Sequence, residues 1–229
     1  MLARRALMGR KVQSADVEDR VDAGLWMEMT DLSVDEYSAK RLPDVLDLPG
    51  IERGGCWENA NRDRTDLPRK LPEFSLLGLY EVDDGFEAPP LMPEGVTGYH
   101  FRRYPRPAQG LLTGKPTLGL LIVLISPRQA DQAQALRDWA DFIHISTIAA
   151  TANPGSTMIT PYENATGGDP RFLHLYEMEE EDPEACFQRV PDLVAKRVGG
   201  GMGTPAFQSW AFHPALRIMY VNTFRRVGG

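Results

Sequence analysis

The sequence predicts an α+β protein built from one strand–helix module used twice, on three observations. Leu79-Tyr80-Glu81-Val82 in the first half returns as Leu175-Tyr176-Glu177-Met178 in the second. Four further pairs flank it in the same order: Gly24-Leu25 with Gly119-Leu120, Pro49-Gly50 with Pro154-Gly155, Trp57-Glu58-Asn59 with Tyr162-Glu163-Asn164, and Phe101-Arg102-Arg103 with Phe224-Arg225-Arg226. Between these marks, short apolar runs alternate with helix signals in the order strand, helix, strand, strand, then a variable stretch and a last strand. That order is the βαββαβ, ferredoxin-like plan with an antiparallel sheet.

Gly24–Thr30 and Leu118–Ile125 are apolar runs bounded by polar or proline residues, hence first strands. The second is apolar at every position from 118 to 125, as for a strand covered on both faces. Helices are expected at Val34–Leu46 and Pro127–Ile145. Ser33 stands three before Glu36 at capping-box spacing, while Ser126, Pro127 and Gln129 suggest a cap, a first-turn proline and its return partner. The Pro-Gly pairs then turn the chain into second strands at Ile51–Trp57 and Ser156–Tyr162. Third strands are Ser75–Val82 and Arg171–Met178. Asp182-Pro183 caps and opens a helix running to Val198. Final strands fall at Val96–Tyr104 and Arg217–Arg226.

The two copies differ in their second halves. Between Tyr80 and Phe101 there is room only for a proline-rich connection, so repeat one has lost most of its second helix. Between Tyr176 and Phe224 a full helix and a glycine loop, Gly199–Gly203, both fit. The expected organisation is a loosely held tail at 1–18, repeat one at 19–107, a proline- and glycine-rich linker at 108–117, and repeat two at 118–229.

Bulk properties narrow the partners. A net charge of -7 with scattered arginines argues against nucleic acid, which wants a concentrated basic face. No apolar run approaches membrane-spanning length. Cys56 and Cys186 stand far apart without metal spacing, which suits a reduced cytoplasmic protein. No phosphate loop and no nucleophile elbow is present, since the glycine run at 199–203 follows a helix and lacks a Lys-Ser/Thr pair.

The stretches Trp139-Ala140-Asp141-Phe142-Ile143-His144 to Pro154-Gly155, and Tyr37 through Leu42-Pro43 to Pro49-Gly50, carry a family look. An aromatic helix one, then His or Leu, then a Pro-Gly turn into a strand resembles the EthD-like branch of the dimeric α/β-barrel superfamily. The resemblance spans about residues 23–227. It implies two ferredoxin-like units with their four-stranded sheets face to face and helices outside, here within one chain. Such internal pairing removes the usual reason to dimerise without forbidding a homodimer. The superfamily holds cofactor-free isomerases, polyketide cyclases, small quinone-forming monooxygenases and haem-dependent members, so fold alone does not fix the reaction.

Three of the four histidines lie in repeat two, which favours that half for proton transfer near neutral pH. Strand alternation puts Phe172, His174, Tyr176 and Met178 on one face. His174 is either a catalytic base or a histidine satisfied in the core; its strand position resembles that of a catalytic His in some cyclases of the superfamily. His144 holds the family's helix-one His position, at the edge of an apolar stripe formed by Trp139 with Phe142 or Ile143. His213, in the aromatic loop Trp210–Pro214, either closes over a ligand or packs the loop. His100 is expected to be structural or exposed. Glu81 and Glu177 are expected to pair with an arginine on a neighbouring strand, Arg102 or Arg225, more than to act as bases. Asn59 and Asn164 mark strand ends where Asn bonds the local backbone.

These residues together suggest an enzyme without cofactor. It would take a small apolar, oxygenated, aromatic or polyketide-like substrate into a pocket between the sheet and helices of repeat two. His174 would move a proton, Tyr176 would hold a developing oxyanion, and His144 would orient or protonate. Trp139, Tyr162, Trp210 and His213 would line the pocket, and Arg225 would hold a substrate carboxylate. Lyase, decarboxylase, isomerase or cyclase steps all suit that set. Two alternatives stay open: a haem-binding barrel with His144 or His174 as axial ligand, and a non-catalytic binding or assembly protein. No metal signature shows in the spacing.

Overall fold

The computed structural model describes residues 24–228 except residue 112; the expected tail at 1–18 lies outside the described residues. Repeat one supplies β1 (Gly24–Thr30), α1 (residues 34–46), β2 (Ile51–Asn59), β3 (Leu76–Val82) and β4 (Val96–Arg103). A two-residue strand, β5 (Gln109–Gly110), lies in the linker. Repeat two supplies β6 (Gly119–Pro127), α2 (residues 130–149), β7 (Ser156–Asn164), β8 (Phe172–Met178), α3 (Pro183–Gln188), α4 (Val190–Arg197), α5 (Pro205–Ala211) and β9 (Leu216–Arg226).

The duplication is plain in the strand order. Repeat one runs β4-β1-β3-β2 and repeat two β9-β6-β8-β7, the same pattern, with every pairing antiparallel. Two short seams join them. Trp57 to Asn59 pairs with Phe224 to Arg226, and Phe101 to Arg103 pairs with Tyr162 to Asn164. The second seam closes the sheet on itself, so the two halves form one ring of strands. The seams use the repeated Trp57/Tyr162 and Phe101/Phe224 segments, which is why those segments match.

Alternation along each strand sorts the side chains into layers. Leu25, Met27, Leu79, Leu120, Leu173 and Phe224, with others of both repeats, make one core inside the ring. The opposite faces bury separate cores beneath the helices. In repeat one no helix covers the sheet between residues 83 and 95, and Phe86 packs there against Trp26 at 5.7 Å.

Three expectations shift. Helix α2 begins at Ala130, not Pro127, because β6 runs on to Pro127. The Ser126 hydroxyl is engaged elsewhere, donating to Asp169 at 2.6 Å and accepting from the Arg171 amide, so it caps nothing. Ser33 and Asp182 do cap, accepting from the Glu36 and Ala185 amides. The linker gains β5, where Gly110 (φ 145°) passes so close to the Thr157 carbonyl that a Cβ would stand 2.0 Å away. The segment read as loop before His213 contains α5, capped by Thr204 with Pro205 in its first turn.

Both first helices carry a π-helical stretch, Tyr37–Arg41 in α1 and Ala140–Ile145 in α2. Such bulges reorient side chains and concentrate at functional sites. In each repeat the stretch lies over the buried polar residues of that half.

Candidate active site

The helix–sheet layer of repeat two gathers six of the eight residues expected there. His174 (2% exposed) and Tyr176 stand on the helix-facing side of β8, beneath α2. Trp139 and His144 come from α2, Trp210 from α5. His213 follows α5 and joins them at the edge. Their rings form a stack: His213 to Trp139 at 5.5 Å, Trp139 to His144 at 5.1 Å, and His144 to Trp210 at 4.9 Å with planes only 8° apart.

Hydrogen bonds fix that stack. His144 Nδ1 lies 3.0 Å from the Trp210 carbonyl, and Trp210 Nε1 donates back to the His144 carbonyl at 3.1 Å. Trp139 Nε1 donates to the Ser209 carbonyl. A carbonyl only accepts, so Nδ1 of His144 carries the proton and Nε2 keeps a lone pair. His213 is the reverse: its Nδ1 accepts from the Ala215 amide, which leaves the proton on Nε2 when the ring is neutral. Much of this aromatic set therefore fastens α5 to α2, and the loop reading and the site reading meet in the same residues.

Two expected lining residues lie elsewhere. Tyr162 is even-numbered on β7, and alternation turns it into the core inside the ring, with Arg103 over its ring at 5.9 Å. Arg225 is exposed near the end of β9 and donates to the Glu181 carbonyl. The expected carboxylate pairing also changes partner. Glu81 takes a two-pronged contact from Arg53, 2.6 Å on each prong, because Arg53 is its register partner on β2. Glu177 accepts from the Thr117 hydroxyl. Asn59 and Asn164 bond the amides two residues on, as strand-end asparagines do.

His174 is the chemically distinctive group. Its Nε2 is buried, with no hydrogen-bond partner among the described residues. Burial, with the Arg137 and His144 charges nearby, holds its pKa well below the ordinary histidine range. Burial also lowers His144, against the opposing bond to the Trp210 carbonyl, and lowers His100. Burial alone raises Tyr176 well above its ordinary value, so it acts only as a neutral hydroxyl.

These shifts set a pH window. Each depressed histidine is neutral in the fold but takes a proton near pH 6.5 when unfolded. Its contribution is fully present above about pH 6.5 and is lost as pH falls through the folded values. Most of it belongs to His174, since His144 keeps some exposure. The urea midpoint is expected to drop between about pH 7 and about pH 5, and to drop less in His174→Leu. A flat midpoint over that range would contradict a buried neutral His174.

Sequence reasoning missed a second constellation, in repeat one. Glu28, with no exposure, accepts from Trp26 Nε1, Tyr37 Oη and Arg41, whose Nε lies 3.0 Å from Oε2. Tyr37 and Tyr80 hydroxyls meet at 2.7 Å. Gly78, the counterpart of His174, makes the room, since a Cβ there would fall 1.9 Å from the Tyr37 hydroxyl. The available signal was Glu28 alone inside an otherwise apolar strand. Among the described residues no group of three or more His, Cys, Asp or Glu could hold a metal ion, and no helix is long and apolar enough to cross a membrane.

No protein-family model and no curated protein matches the chain. Solved structures do. A mutant chlorite dismutase from Candidatus Nitrospira defluvii matches over 93% of this chain and 96% of its own, at 10% identity and a TM-score of 0.52. A candidate monooxygenase from Lactobacillus acidophilus matches over 89% and 93%, at 11% identity and a TM-score of 0.45. These solved structures belong to the dimeric α/β-barrel, ferredoxin-like superfamily. At such identity the likeness to chlorite dismutase is one of fold.

Proposed function

We propose that the protein is a small-molecule enzyme of the EthD-like branch, working by acid–base chemistry in the helix–sheet layer of repeat two. The observation that supports it is the orphaned Nε2 of His174. Leaving a buried polar atom unpaired costs about 1–3 kcal/mol, a cost that a substrate atom would offset. A neutral imidazole with a free lone pair is also the form that takes a proton. The Glu28 cluster of repeat one offers the contrast, because its buried polar groups satisfy one another. His174 moves the proton, the neutral Tyr176 hydroxyl holds developing negative charge, and His144 orients the ligand through its free Nε2. The substrate is apolar and oxygenated, which suits a surrounding layer of Leu121, Ile145, Ile159 and Trp210. The step is of lyase, isomerase or cyclase type.

Proton transfer is testable without knowing the full reaction. The protein is expected to catalyse exchange of the α-protons of small aromatic ketones with D2O, followed by proton NMR. His174→Leu should lower that rate by about 100-fold or more with no loss of melting temperature. If His174→Leu and His144→Ala both kept the full rate, the site would be misplaced.

A haem-binding barrel is the second reading, favoured by the tautomer of His144. Nδ1–H on a backbone carbonyl with Nε2 free is the arrangement of an iron-ligating imidazole. The donor fits, but the space is closed: Trp139 and Trp210 stand about the imidazole, and a porphyrin would need α5 to part from α2. His144 would hold the iron, and haem would supply redox chemistry. Protein mixed with haemin is expected to leave the broad Soret band of free haemin unshifted. A shifted, sharpened band abolished by His144→Ala would favour this reading over the first.

A further inference from the structure

His174 is not alone in lacking partners. Arg137, wholly buried on α2, makes one long bond, Nη1 to the Tyr162 carbonyl at 3.4 Å, and has no hydrogen-bond partner at Nη2 among the described residues. Asp141, one turn on and 2% exposed, is held at Oδ2 by Arg137 Nε at 3.0 Å and Arg106 Nη1 at 3.2 Å, while its Oδ1 has no partner among the described residues. Arg137 links this set to His174, whose imidazole feels its charge. The Arg137 guanidinium sits over the Phe172 ring at 4.9 Å, two residues from His174 on the same face of β8. It also reaches the carbonyl next to Pro161, the register partner of His174.

Buried polar groups call for a partner, a ligand atom or an ordered water. The surrounding charges balance, with Arg137 and Arg106 set against Asp138 and Asp141. The partner therefore needs no net charge. It must accept from a guanidinium, donate to a carboxylate, and reach an imidazole.

We propose that Arg137, Asp141 and His174 together bind an uncharged ligand bearing a carbonyl and a hydroxyl on adjacent carbons, an α-hydroxy ketone in the simplest case. This rests on the acid–base reading and names its substrate class. The carbonyl oxygen accepts from Arg137 and the hydroxyl donates to Asp141. His174 Nε2 takes the proton from the hydroxyl-bearing carbon. The C–H electron pair becomes the C=C bond, and the carbonyl π pair moves onto the oxygen held by Arg137. Transfer of the hydroxyl proton between the two oxygens, and return of the proton from His174 to the former carbonyl carbon, completes an isomerisation with no net oxidation. The end of repeat one covers this set: Tyr104 faces the Arg137 guanidinium at 3.9 Å, and Arg106 lies over Phe142 at 4.4 Å while gripping Asp138.

Calorimetry and imidazole NMR on the whole chain test this with phenacyl alcohol and acetophenone, which lacks the hydroxyl. Phenacyl alcohol is expected to bind about tenfold or more tightly and to move the His174 ring signals. Asp141→Leu should abolish that preference, and Arg137→Met should weaken both probes. If these variants do not fold, the wild-type preference still decides. Equal binding of both probes with movement of His174 overturns the Arg137–Asp141 assignment and leaves the acid–base reading standing. Binding that leaves His174 unmoved overturns both. No binding of either probe, with only ordered water between these side chains in a crystal, overturns the proposal.

Discussion

Arg41→Met is expected to destabilise the protein by about 3–5 kcal/mol, the cost of leaving a buried charge without its partner. Glu28 has no exposure, and Arg41 is its only cationic contact among the described residues. The pairing outweighs burial at Arg41, whose pKa is raised even though desolvation works against it. Tyr37 is pushed far up by burial first, then by Tyr80 and Glu28, so neither tyrosine nor Trp26 can neutralise the carboxylate. Glu28→Gln combined with Arg41→Met should recover most of the loss, because the amide still accepts from Tyr37 and Trp26 without carrying charge. Urea denaturation of the wild type, both single variants and the double closes the cycle. A single-variant loss under about 1 kcal/mol would show that the carboxylate finds water instead.

His174→Leu should have the opposite sign. The substitution removes an unpaired Nε2 and puts a side chain of similar reach among Val123, Leu136 and Trp139. Melting and urea curves near pH 7 are expected to show a gain of about 1–3 kcal/mol, with proton-exchange activity lost. That combination, more stable and inactive, is what a group kept for function predicts. A core histidine bonded through structural water would instead cost stability when replaced. Because both outcomes are measured on the same variant, the experiment separates the readings that the sequence left open for His174.

Taken together, the two variants argue for different roles of the two π-helical stretches. In repeat one the bulge brings Tyr37 and Arg41 onto Glu28, and the polar set closes on itself. In repeat two it brings Asp141 and His144 above His174, and the set stays open. A duplicated module has kept its backbone while the polar sets beneath its two bulges have diverged.

Most element identities were readable before any coordinates. A Pro-Gly turn, a capping Ser33 or Asp182 and period-two alternation act over a few residues, so local chemistry decides them. The same alternation placed His174 and Tyr176 on one face correctly. It could not say which face of β7 meets the helices, so Tyr162 was assigned to the wrong layer. Local signals also misread Ser126, because a cap and a bond to Asp169 compete for the same hydroxyl and only the fold brings Asp169 near.

The sequence by itself determined the doubled strand-and-helix module, since that follows from short-range patterns written twice. Tertiary structure alone decided the strand order, that the ring closes through two three-residue seams, that Arg53 and not Arg102 meets Glu81, and that Arg137, Asp141 and His174 are all buried. Those facts depend on which residues far apart in the chain are pressed together. Desolvation and unmet hydrogen bonds arise only from that pressing.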